Sequence, residues 1–168
     1  WQVYNWQIEG FKAKPKVREI AEKFDFPLIY HLFMMEHRGI KIDTKFLKKM
    51  STELGEEHAR LEQEMYTLAG YEFNIGSPAQ LSEVLFTKLQ LPTAGIKKGK
   101  TGYSTGQKEL DKLRGQSPII ELIERTRELA KLKNTYVDTL PEQVDGNNRI
   151  HTTFNQDVAA TGRLSSAN

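Results

Sequence analysis

Cysteine is missing altogether from the 168 residues. Disulfides and thiolate zinc sites are thereby excluded, and a reducing compartment is the expectation. Long apolar runs are missing too: none comes near the roughly 18 residues that a membrane-spanning helix requires, so no membrane partner is expected. The opening residues Trp1-Gln2-Val3-Tyr4-Asn5-Trp6 carry neither an initiator Met nor a secretory pattern, and both they and Asn168 read as cut ends. An excess of charge is also lacking. The formal net charge is only +2, so any attraction for a polyanion has to come from local clustering of lysines. Hydrophobic residues make up 38% of the chain and charged ones 27%. That balance fits a soluble chain with a modest core, or an elongated one that buries little.

Catalytic constellations are equally scarce. His31, His37, His58 and His151 show no zinc-ligand spacing. Asp25, Asp43, Asp111, Asp138, Asp145 and Asp157 make no close pair, and two-metal nucleotidyl transfer depends on carboxylates gathered around shared ions. No serine has a recognisable nucleophile context. No catalytic residue, metal site or cofactor site is therefore expected within this chain.

What is present is mainly helical. Residues 1–15 have no clear period, and residues 1–25 read as a linker or the remnant of an upstream domain. A helical pattern runs from Lys16 to Arg38, interrupted near Asp25-Phe26-Pro27, and Gly39 ends it. Asp43 is a good N-cap for a long helix that Gly70 stops. Leu47, Leu54, Leu61 and Leu68 recur in it at strict sevens, a seam that asks for a partner helix along a rod of about 40 Å. Ser77-Pro78-Ala79-Gln80 opens a second helix, with Ser as cap and Pro in the first turn. A glycine-rich loop spans Pro92 to Tyr103, and a short helix follows from about Ser104 to Arg114. Ser117-Pro118 opens another long helix, whose seam is read as Ile119, Leu122, Leu129, Leu132 and Tyr136 and which Pro141 ends. Two long helices thus bracket a small tip, and an antiparallel stalk with a small helical basic tip is the economical arrangement. Beyond a boundary near Pro141, Asp145-Gly146-Asn147-Asn148 is strong turn chemistry, flanked by short strands at Val144 and Ile150–Phe154 that predict a β-hairpin.

The tip is the first candidate site. Lys97, Lys98, Lys100 and Lys108 lie in a stretch from Ala94 to Lys108 that has no acidic residue, together with Thr101, Ser104 and Thr105. Lysine charge, short hydroxyls and accessible backbone amides suit phosphate oxygens without reading base sequence. A solvated loop that binds nothing has the same composition. Ala94 to Thr101 also comes close to the nucleotide-cradling pattern G-x-x-x-x-G-K-[ST]. That motif needs a buried strand before it and a helix after it, and neither is expected here. On the second long helix, Arg127, Lys131 and Asn134 at i, i+4 and i+7 share one stripe, with an ordinary ion-paired surface as the plain alternative. Asn74 and Ser77 precede the Pro78 helix, where a cap is compatible with a phosphate contact. Two rival functions follow from the same residues: a coiled-coil stalk for protein assembly, resting on the heptad leucines, and a phosphate-loop nucleotide-binding protein.

Several runs, taken in order, go further. They are Met35-Glu36-His37-Arg38-Gly39-Ile40-Lys41-Ile42-Asp43, Phe73-Asn74-Ile75-Gly76-Ser77-Pro78, Lys100-Thr101-Gly102-Tyr103-Ser104-Thr105 and Thr135-Tyr136-Val137-Asp138. Ile150-His151-Thr152-Thr153-Phe154-Asn155-Gln156 and Thr161-Gly162-Arg163-Leu164-Ser165-Ser166 complete the set. From about Phe26 onward the chain resembles family A DNA polymerases (the DNA polymerase I family). The resemblance implies a thumb subdomain at 26–140 and the first strands of the palm at 141–168. It implies a grip on the minor-groove side of a primer–template duplex, with Asn74, Ser77, Ser104, Thr105, Arg127 and Lys131 contacting DNA. Arg163 would lie at the primer-terminal pair, where an arginine can sense pair shape through minor-groove acceptors common to every Watson–Crick pair. Asn134 stands where the family more often has serine, and Gly76 where it often has asparagine. Magnesium, dNTP substrates, the palm aspartates and the fingers helix are implied for the complete cytoplasmic, nucleoid-associated enzyme and fall outside this chain.

Overall fold

Helices come first in the chain. The computed structural model describes residues 1–99 and 102–167. Helix α1 (Gln2–Ala13) is followed by α2 (Pro15–Ile20), a wide turn of i→i+5 hydrogen bonds at Ala21–Asp25, and α3 (Phe26–Arg38). Most of the opening fifteen residues, which show no clear period in the sequence, are thus helical. No residue of α1 is buried, so nothing in its composition had to follow a helical period. Gly39 stops α3 at φ 65°, a conformation that a side chain would oppose.

Strand β1 (Ile40–Lys41) leads to α4 (Thr44–Ala69). The Asp43 carboxylate caps α4, accepting the Phe46 amide at 2.9 Å, and Gly70 closes it in the left-handed region at φ 82°. Next come α5 (Pro78–Glu83), a second wide turn at Val84–Lys88, strands β2 (Lys98–Gly99) and β3 (Gly102–Tyr103), α6 (Gln107–Leu113) and α7 (Ile119–Leu132). A third wide turn (Lys133–Val137) and a short 3-10 turn (Leu140–Glu142) follow. Strands β4 (Arg149–Ile150), β5 (Thr153–Asn155) and β6 (Ser165–Ala167) end the chain.

These elements form two compact units, one of Asp43–Glu142 and one of Trp1–Ile42 with Gln143–Asn168. In the first unit α4 and α7 run antiparallel. Arg125 meets Glu57 at 3.1 Å and Lys133 reaches Ser51 at 2.9 Å, so rising numbers on one helix face falling numbers on the other. Each seam therefore finds its partner within the chain, which leaves the coiled-coil assembly reading without a free seam. The core lies at one end of the pair. Met65, Ala69, Phe73, Leu81, Val84, Leu85, Leu110, Leu113, Ile119, Ile120 and Ile123 pack together there. Burying a leucine-sized side chain is worth about 1.5–3 kcal/mol, so this cluster supplies most of the unit's cohesion.

Two parts of the expected seams move. On α4, Leu61, Met65 and Ala69 are buried while Leu68 is 41% exposed. A straight helix drifts about 20° per heptad away from a seven-residue repeat, which carries the last leucine off the interface. On α7 the buried positions are Ile119, Ile120, Ile123, Thr126 and Leu129, whereas Leu132 and Tyr136 are exposed. Thr126 tolerates burial because its hydroxyl donates to the Leu122 carbonyl at 2.7 Å. Where α7 ends, Lys133, Ser51 and Asp138 form a closed polar knot, with Lys133 Nζ 2.6 Å from Asp138 Oδ2 and Ser51 Oγ 2.7 Å from Asp138 Oδ1. Those bonds hold the Asp138 carboxyl below its ordinary range.

The second unit has small antiparallel pairs. Strand β4 pairs with β1, placing Ile40 opposite Ile150, rather than with Val144 across the Asp145 turn. Asp145 explains the difference. Its Oδ1 accepts the amides of Asn147 and Arg149, both at 2.8 Å, which turns the chain without a continuing ladder. Strand β5 pairs with β6, Phe154 opposite Ser166, and Arg163 lies exposed in the loop between them.

Candidate nucleic-acid interface

A buried serine helps seat the β2–β3 hairpin on α5. Ser82 is buried on α5, and its Oγ accepts the Tyr103 amide at 3.0 Å. Gly102 fits over it at φ 131°, and a Cβ there would stand 2.8 Å from Ser82 Oγ. Backbone strain and collision act together, so Gly102→Ala is expected to destabilise the unit by about 1–3 kcal/mol, read as a lower urea midpoint. An unchanged midpoint would mean that Ser82 does not anchor the hairpin.

Seating the hairpin opens a groove of about 430 Å³ lined by Lys97, Gly99, Tyr103, Ser104, Thr105, Gly106, Arg127 and Pro78. Ser104 donates its backbone amide to the Lys97 carbonyl at 2.7 Å, which holds those two residues side by side. The Ser104 hydroxyl accepts the Gly106 amide at 3.3 Å and lies 3.4 Å from Glu109 Oε2. Lys98 points to the other face of the strand, as alternation requires. Its ammonium stands 5.2 Å from the centre of the Tyr103 ring and lines a second hollow with Gln80, Glu83 and Phe86.

Arg127 is the groove's fixed charge. Its Nη1 donates to the Thr105 carbonyl at 2.6 Å and its Nη2 lies 3.4 Å from Thr105 Oγ1. Thr105 is itself buried. Burial pulls the Arg127 pKa down, yet a guanidinium stays protonated throughout the neutral range. Two of the acids along α7 are engaged elsewhere: Glu124 with Arg114 at 2.9 Å, Glu128 with Arg125 at 3.0 Å. Among the described residues Arg127, Lys97, Lys98 and Lys131 have no carboxylate within salt-bridge reach. A half-buried cation without a counter-ion has lost water and gained no anion. It offers a ready partner to an oxyanion from solution.

The other expected contacts distribute around this groove. Ser77 caps α5, accepting the Gln80 amide at 3.5 Å, and directly precedes the groove residue Pro78. Asn74 is exposed and turns its Oδ1 to the Gly76 amide at 2.9 Å. Lys131 and Asn134 are exposed further along the stalk, the latter inside the Lys133–Val137 turn. Lys100 and Thr101 lie outside the described residues. Arg163 belongs to the second unit. Sequence reasoning passed over Tyr103 and Ser82, though an aromatic beside a lysine run is a signal for the first. The phosphate-loop reading lacks its context among the described residues: β2 lies within the Ala94–Thr101 stretch and the next element is strand β3, where the motif needs a helix.

The fold and groove define a class: a helical stalk with a basic groove among the loops at its end. Comparison then narrows it. The family model described as DNA polymerase family A matches residues 44–168. DNA polymerase I of Synechocystis sp. is 50% identical over 155 residues, covering 92% of this chain and 16% of that protein. DNA polymerase I of Geobacillus stearothermophilus is 49% identical over 167 residues, covering 99% of this chain and 19% of that protein. Among solved structures, the POL domain of Pol1 from M. smegmatis, in complex with DNA primer-template and dNTP, aligns with a TM-score of 0.75 at 36% identity. It covers 93% of this chain and 28% of that one. The chain belongs to DNA polymerase family A. It spans less than a fifth of the length of these two curated relatives.

Proposed function

We propose that this chain is the thumb and the first palm strands of a DNA-directed DNA polymerase, and that its tip groove grips the backbone of a primer–template duplex. The observation that carries the reading is Arg127: half-buried, held by Thr105, free of any carboxylate among the described residues and sharing its groove with Lys97 and Ser104. Cation, hydroxyl and open backbone together suit phosphate oxygens and carry no sequence information. Lys98, Lys131, Asn134, Asn74 and Ser77 extend the contact along the duplex. The M. smegmatis neighbour, described as a complex with primer-template and dNTP, supports this choice of partner. Arg163 is assigned to the primer-terminal base pair, where its guanidinium donates to minor-groove acceptors.

In the complete polymerase the grip serves template-directed nucleotidyl transfer from dNTPs in a nucleoid-associated setting. Magnesium chemistry is not assigned to this chain. Among the described residues no three His, Asp or Glu side chains converge. No described helix is long and apolar enough to cross a membrane.

Duplex affinity measured across a salt series tests the grip. Each phosphate neutralised should contribute a slope of about −0.9 in log K against log salt. With Lys97, Lys98, Arg127 and Lys131 engaged, a slope near −3 to −4 is the expected result. A flat dependence would rule out the phosphate contact.

A further inference from the structure

His151 directly follows strand β4 in the unit that lacks the groove, and its ring lies between two acceptors. Nδ1 is 2.7 Å from the Glu36 backbone oxygen and Nε2 is 3.3 Å from Asp145 Oδ2. A neutral imidazole has one N–H and can donate to only one of them, whereas the imidazolium donates to both. Both acceptors are held in place. The Glu36 carbonyl belongs to the last turn of α3, where carbonyls have no helical partner and the helix end favours a cation. Asp145 is fixed by the two amides on its other oxygen. The same amides lower its carboxyl pKa and favour the ionised form.

The surroundings fit a proton-controlled contact. Gly39 lies against the ring, and a Cβ there would come within 2.8 Å of Cε1, so no side chain separates His151 from α3. Side-chain exposure of 41% leaves the imidazole open to proton exchange with water. Asp145 attracts the imidazolium and Arg149 on β4 repels it, and the last turn of α3 carries two further basic residues, His37 and Arg38. The Glu36 carboxylate is occupied by the Phe154 amide at 2.6 Å. On β1, Lys41 pairs in register with Arg149.

We propose that His151 is a protonation-dependent latch that, when charged, ties the end of β4 to both the last turn of α3 and the Asp145 turn. The tie lies at the root of the β5–β6 pair, since β5 begins two residues after His151 and the loop beyond it bears Arg163. The latch is independent of any role for the chain in DNA binding.

Its sign is fixed by the contacts. The Glu36 carbonyl and then Asp145 raise the His151 pKa in the folded chain. The stabilising contribution is therefore complete below the ordinary value of about 6.5, and it fades as pH rises through the raised value. The root of the β5–β6 pair should be firmest in mildly acidic solution and loosen toward alkaline pH.

Ring-nitrogen NMR of the intact chain across pH 5 to 9 tests this. Expected are a His151 pKa above 6.5, a fall in that pKa in Asp145→Asn, and protection of the Phe154 amide that declines as His151 deprotonates. Asparagine retains the oxygen that accepts the turn amides, so this variant removes the charge and keeps the turn. In His151→Gln, Phe154 protection should lose its pH dependence. A His151 pKa at or below 6.5, or one that Asp145→Asn leaves unmoved, would overturn the latch. So would Phe154 protection that varies with pH equally in His151→Gln.

Discussion

Arg127→Ala is expected to weaken duplex binding by about 10- to 100-fold at low salt. A hydrogen bond to a charged group contributes about 1.5–3 kcal/mol, and each 1.4 kcal/mol is a factor of ten. The upper part of that range applies because the guanidinium is already half-buried and already oriented by the Thr105 carbonyl at 2.6 Å. Little ordering cost then remains to be met on binding. The slope of log K against log salt should also become shallower by about one unit, because one phosphate contact disappears. Arg127 also ties the tip to the stalk, so urea unfolding of the variant must accompany the titration. Arg127→Lys separates the two roles. It keeps the charge and the salt slope and loses the fork that spans Thr105. Unchanged affinity and slope in Arg127→Ala would remove this residue from the interface.

Arg163→Ala in the complete polymerase is expected to slow single-turnover incorporation by about 10- to 100-fold while duplex affinity changes only a few-fold. The reasoning is one of location along the substrate. A contact at the primer-terminal pair helps align the reacting end, and misalignment raises the barrier directly. It is one contact among many for a duplex held along the stalk, so its loss barely alters binding. Arg163 is exposed in the β5–β6 loop, just after Gly162 at φ 75°. The substitution therefore removes no buried packing. Incorporation at normal speed, or an equal loss in binding and rate, would contradict a role at the primer end.

Local chemistry was the legible part of this chain. Asp43, Gly39, Gly70 and the Ser77-Pro78 pair act through their own neighbours. Their caps and stops stand where the residue types put them. What depends on distant partners was harder to read. The α7 seam runs through Ile120, Ile123 and Thr126 because a threonine that bonds its own helix can be buried. The exposed Tyr136 and Leu132 had claimed that place by hydrophobicity alone. Strand β4 finds its partner in β1, far upstream, since Asp145 uses its carboxylate to close a turn instead of a hairpin. Helix α1 buries nothing and so left no periodic trace.

The site divides in the same way. Lys97, Ser104, Thr105 and Arg127 were each visible as donors, and the groove gathers them. The device that makes it a groove, Gly102 over Ser82, joins residues from separate elements. No spacing in the sequence connects them.

Backbone amide NMR of this chain during titration with a primer–template duplex is the most direct test of the grip. Shifts should gather at Lys97, Gly99, Gly102, Ser104 and Gly106, extend to Arg127 and Lys131, and fade as salt is raised. Shifts confined to the α1–α3 helices, or none at the groove at saturating duplex, would contradict the account.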